Sequence, residues 1–174
     1  MTSKYKVVNK AEFLDRVQKM AYKNEEEYRG CSQATLLAIQ EAFGLEDDQL
    51  FKAASGLAGG IGLMNSACGA LTGGAMALGL KYGRELADLE KFEDKGVEKL
   101  RASYEPVQRL YKWFEQEFGS VICSEIRKSL HGVYLDTKIP WQKELAEELG
   151  FHKHCSELVG KAARRVAELL MDEE

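Results

Sequence analysis

The chain carries four cysteines, Cys31, Cys68, Cys123 and Cys155, and three of them open nearly the same string: CSQA, CSEI and CSEL. A thiol can serve as a nucleophile, a disulfide partner or a metal ligand, and its neighbours decide which. The separations here are 37, 55 and 32 residues. They exclude the paired Cys-x-x-Cys knuckles of zinc ribbons, thioredoxin-like sites and bacterial ferredoxins, and no haem-attachment motif is present. If the four sulfurs act together, tertiary convergence must bring them there.

Each cysteine is expected within a turn of a helix start. Gly30 precedes Cys31, Asn65 and Ser66 precede Cys68, Gly119 and Ser120 precede Cys123, and a His-rich loop precedes Cys155. Free amides and the positive end of a helix favour thiolate over thiol, by about 0.3–1 kcal/mol and up to about 2 kcal/mol when partly buried. Four thiolates around Zn²⁺ or around an oxidised two-iron, two-sulfide core leave the same formal charge, so charge does not choose the metal. The competing use of these residues is as small buried hydrophobes. Among His131, His152 and His154, the string HKHC could donate a ligand, although a surface histidine pair ahead of a helix is the commoner arrangement.

Around Cys68 lies GGIGLMNSACGALTGGAMALGLKYGR, residues 59–84, with eight glycines. Glycine in a helix costs about 1 kcal/mol relative to alanine, so packing or a site must offset it. Gly69 and Gly73 share a helix face and leave room for a second backbone or a bound cluster. Gly59, Gly60 and Gly62 allow the preceding loop to fold back with its amides inward. Tight helix crossing alone would account for Gly69 and Gly73 equally well. GGIG is no nucleotide fingerprint, since no strand precedes it and the third glycine is missing.

The elements that must position these residues read as helices. Asn9 and Glu12 form a capping box ahead of Phe13, Leu14, Val17 and Met20. CSQATLLAIQEAF stops at Gly44, and Leu50, Ala53, Ala54 and Leu57 give a third, short helix. Leu100, Val107 and Phe114 interleave with Tyr104, Tyr111 and Phe118 in two seven-residue series, an aromatic stripe expected in the core, with Pro106 a kink or a first turn. Ser120–Leu130 is a further helix ended by Gly132, VYLDTKIPW is extended, and helices resume in WQKELAEELG and CSELVGKAARRVAELL. The expectation is an all-α, compact bundle of about six to eight helices, one domain over residues 1–174, with a glycine-rich central helix.

Composition excludes several functions. With 24 Lys and Arg against 28 Asp and Glu, and no basic stripe, nucleic acid is not expected as a partner. Ala53 to Leu80 carries no charge over 28 residues, but its Gly, Ala, Asn and Ser content fits a buried helix better than a membrane span. The charged N-terminus lacks a signal-peptide core, so a cytoplasmic setting is expected.

GCSQATLLAIQEAFGL, then AASGLAGGIGLMNSACGALTGGAMALGLKYGR, then Cys123 and Cys155, resemble the redox-active family named for its pattern of C, GCAxxG, C and C, over about residues 30–160. Cys68-Gly69-Ala70-Leu71-Thr72-Gly73 is the specific core of the match. The chain is also similar to the non-haem N-terminal part of split-Soret cytochromes, without their haem motifs or export signal. These resemblances imply redox activity and an iron–sulfur cluster, most naturally two-iron, two-sulfide, on Cys31, Cys68, Cys123 and Cys155, with Gly69 and Gly73 beside it and an electron-exchanging partner protein unspecified. A metal-free thiol–disulfide protein centred on Cys68 and a structural zinc-binding module are the alternatives. Whether the chain is an enzyme and whether it self-associates stay open.

Overall fold

The computed structural model describes residues 9–89 and 95–172. Eight helices are described, in order: α1 (Lys10–Tyr28), α2 (Cys31–Phe43), α3 (Asp48–Ala54), α4 (Gly69–Tyr82), α5 (Lys95–Phe118), α6 (Cys123–His131), α7 (Pro140–Glu148) and α8 (Phe151–Met171). Short 3₁₀ turns cover Ser55–Leu57 and Leu86–Asp88. Among the described residues the only β pairing is one isolated antiparallel bridge, Ala67 to Ile122, so the protein is all-α.

The local signals are those of the sequence. Asn9 caps α1 by accepting a hydrogen bond from the Ala11 amide, and Asp47 caps α3 through the amides of Gln49 and Leu50. Gly44 and Gly132 end α2 and α6 in the left-handed conformation. VYLDTKIPW forms turns and the start of α7 rather than a strand. Pro106 sits inside α5, which runs on to Phe118.

Packing centres on α1 against α8 and α2 against α4, with α5 laid on α4. Val17, Leu36, Ile39, Leu78, Leu110, Phe114, Val159 and Val166 are fully buried in one core. The aromatic stripe of α5 only partly joins it. Phe114 is fully buried, but Tyr104 and Tyr111 are 48% and 42% exposed. Leu110 supplies the contact instead, at three and four residues from Val107 and Phe114, and the tyrosines lie on the exposed flank.

Glycines let α4 approach its neighbours. A Cβ on Gly73 would collide with the backbone of Ser32, and one on Gly74 would lie 2.8 Å from a Val166 methyl. The 28-residue uncharged stretch is thereby divided among α3, a loop and α4, and no helix among the described residues is long and apolar enough to cross a membrane.

Candidate functional site

Cys31 is the first residue of α2. The chain reverses ahead of it through Arg29 (φ 63°) and Gly30 (φ 89°), which lets the end of α1 fold against the start of α2. Ser32 Oγ donates to the Ala54 carbonyl at 2.7 Å and Gln33 Nε2 to the Phe51 carbonyl at 3.1 Å, fixing that start against α3.

Cys68 and Cys123 are set by one device. The Cys68 amide donates to the Val121 carbonyl at 2.8 Å and the Cys123 amide to the Ser66 carbonyl at 2.7 Å, on either side of the Ala67–Ile122 bridge. Cys68 is the N-cap of α4 and Cys123 the first residue of α6. Cys155 differs from the sequence expectation. Its helix begins at Phe151, after Gly150 in the left-handed conformation, so HKH is helical and Cys155 lies more than a turn inside α8. Burial of the Phe151 ring against Leu135 and Ala146 holds that additional turn in place.

The loop between α3 and α4 completes the enclosure. Gly59, Gly60, Ile61, Gly62 and Leu63 have consecutive φ values of 64°, 74°, 64°, 57° and 63°. Left-handed backbone costs about 1–2 kcal/mol per non-glycine residue, so Ile61 and Leu63 are strained. Hydrogen bonds from the Gly62 amide to the Gly56 carbonyl (2.9 Å) and from the Ser66 amide to the Gly60 carbonyl (3.0 Å) hold the turn.

All four cysteines line one cavity of about 500 Å³. None is in a disulfide. Glu25, Arg29, Arg127 and His152 line it as well. His131 and His154 do not: His131 stacks on the Phe151 ring at 3.6 Å, and His154 meets His131 edge-on at 4.6 Å. Gly69 and Gly73 face α2, where a Cβ on Gly69 would strike the Cys31 sulfur and one on Gly73 the Ser32 backbone. Among the described residues, no group of three or more His, Cys, Asp or Glu side chains stands ready to hold a single metal ion.

Electrostatics correct the expectation of reactive thiolates at helix starts. Burial, seconded by the charge of Glu25 at Cys31 and of Cys31 at Cys155, pushes both thiols up to about 12. Cys68 is raised by burial and then by Cys31 and Cys123. Burial also raises Cys123, opposed by the Arg127 guanidinium. A rise from 9.0 to about 12 disfavours the thiolate by ~4 kcal/mol, about twice what a helix terminus supplies at best. The amides of Gly59 and Ser32 act on Cys31, and those of Ala70 and Leu71 on Cys68, in favour of the thiolate. Part of the expected inward-facing backbone is therefore in place, but without a cation the thiols stay protonated at neutral pH.

Glu25 and Arg127 are among the lining residues that the sequence does not single out. Glu25 is 6% exposed, and burial raises it to about 7 despite Arg29. Its signal is visible afterwards: it continues the Phe13, Val17, Ala21 stripe at the next four-residue step. Arg127 stands four residues after Cys123, one turn along α6, and so shares its face.

No curated protein and no solved structure matches the chain. A family model described as "Putative redox-active protein (C_GCAxxG_C_C)" matches residues 30–169, a span that holds all four cysteines and most of the fold. With the cysteines in the family's order around one cavity, the chain belongs to that C_GCAxxG_C_C redox-active family.

Proposed function

We propose that this is an electron-transfer protein whose Cys31, Cys68, Cys123 and Cys155 hold an iron–sulfur cluster of the two-iron, two-sulfide type. One observation carries the reading: four cysteines far apart in sequence line a single cavity. The donor set suits the group, since thiolates are the usual cluster ligands and Cys68 and Cys123 already leave neighbouring positions of one bridge. Among the described residues no group of three or more His, Cys, Asp or Glu side chains is arranged to hold a metal ion, so the reading rests on the shared cavity and the family pattern, and structural zinc is the second reading.

When bound, such a cluster supplies one-electron chemistry. The chain's own part is to exclude water, to aim the amides of Gly59, Ser32, Ala70 and Leu71 at sulfur, and to place Arg127 beside Cys123. Amides and cations near sulfur stabilise the more negative, reduced state and raise the potential. The raised thiol values argue against free-thiol exchange, which needs a thiolate near ambient pH.

Purification without oxygen tests this. The cluster reading predicts brown protein containing iron and acid-labile sulfide and bleaching in air. Colourless protein with stoichiometric zinc would point to the structural module, and colourless metal-free protein with a reversible disulfide to thiol exchange.

A further inference from the structure

The cavity extends past the sulfurs. Thr137, Lys143, Ala146 and Glu147, from α7 and the turn before it, line it although that stretch contributes no cysteine. Its volume of about 500 Å³ lies within the ~300–1,000 Å³ range of small-molecule pockets, far beyond what a four-atom core occupies. Leu63, Ile126, Phe151, Leu158 and Val159 line the cavity too and give it apolar surface, beside the paired charges of Lys143 and Glu147.

Arg127, on α6, lines the same cavity and hydrogen-bonds Cys123, one turn before it on that helix. Among the described residues no carboxylate pairs with it: Nη1 reaches Asn65 Oδ1 at a long 3.4 Å, the guanidinium lies 5.1 Å from the Phe151 ring centre, and Nε is buried with no hydrogen-bond partner. A guanidinium in an apolar wall is costly unless paired, and its planar fork matches a carboxylate. Stacking on Phe151 limits the fork's orientation. At the sulfur end lies buried Glu25, whose Oε2 has no hydrogen-bond partner among the described residues.

We propose that the cavity is a binding site for a small organic monocarboxylate with an apolar body, held beside the cysteines by Arg127. It deepens the redox reading by giving the site an organic ligand, and it rests on that reading only for the chemistry done once the ligand is bound. Occupancy is therefore tested on the full chain in metal-free form, where a failure of the cluster reading leaves the result unaffected.

The probes are benzoate and its neutral isostere benzamide, titrated calorimetrically into wild type, Arg127→Gln, Arg127→Lys and Lys52→Gln, each checked for helicity and thermal melting. Benzoate should saturate one site with Kd at or below ~1 mM, and benzamide should bind about tenfold or more weakly. Arg127→Gln should weaken benzoate by about tenfold or more, Arg127→Lys should restore part of that loss, and Lys52→Gln should change nothing. If Arg127 is only a counter-charge for the cysteines, benzoate will show no saturable binding, or will bind a folded Arg127→Gln as it binds wild type, and either result overturns the proposal.

Discussion

Ala67 and Ile122 face each other in an antiparallel bridge, and the next residue after each is a cysteine, Cys68 and Cys123. Two helices of unrelated position thus begin side by side, each with its first sulfur in the same enclosure. In a protein otherwise built of helices, this pair is a local clamp on the candidate site. Ser120 supports it by accepting the Ile122 amide at 3.0 Å and bonding Glu125.

The α2–α4 crossing predicts opposite outcomes for two glycines of one helix. At Gly73 a methyl group meets Ser32 backbone, which has no room to move, whereas nothing lies within 4 Å of one at exposed Gly79. Gly73→Ala should destabilise by about 1–3 kcal/mol or more, and Gly79→Ala should stabilise by about 0.5–1 kcal/mol through helix propensity. Denaturant midpoints of the two variants check this.

Burial of Glu25 predicts a pH slope. Its folded value of about 7 stands above its unfolded value of 4.5, so the folded state holds the extra proton between them. The contribution is fully present below pH 4.5 and is lost as pH rises through about 7. Glu25→Gln should therefore raise the melting midpoint of metal-free protein at pH 8, by a stability on the order of 3 kcal/mol, and change it little at pH 4.5. Equal effects at both pH values would contradict the assignment.

The thiols predict a second window at higher pH. Folded Cys31 and Cys155 titrate near 12 and unfolded cysteine near 9.0, so metal-free protein should lose stability as pH rises above 9.0. At pH 7.5 alkylation by iodoacetamide should be much slower than in urea-unfolded protein. Rapid modification of native protein at neutral pH would instead signal an activated thiolate.

What is legible in the sequence is local. Gly44 and Gly132 mark helix ends because only a left-handed residue closes a helix there cheaply, and the Val159, Ala162, Val166, Leu169 stripe of α8 is buried throughout. The family pattern runs through the four cysteines that line one cavity, but that cavity arises from contacts between helices that no periodicity encodes. The start of α8 lies ahead of its sequence signal because Phe151 gains burial from Leu135 and Ala146, both outside its own helix. Tyr104 and Tyr111 mimic core residues because a seven-residue repeat gives an aromatic stripe without saying which flank a neighbouring helix covers. Arg127 gives no signal, since a charged residue in an amphipathic helix ordinarily faces water.

The most direct test of the central claim is metal and sulfide content, measured without oxygen, for wild type and the four single Cys→Ser variants, with a thermal melt of each. Because the proposed ligands stand on or at the start of α2, α4, α6 and α8, a joint cluster should tie its binding free energy to that of folding. The account predicts about two iron and two sulfide per wild-type chain, and loss of both together with a lowered melting midpoint in every variant. Wild type without iron, or variants that keep wild-type metal content and melting, would contradict it.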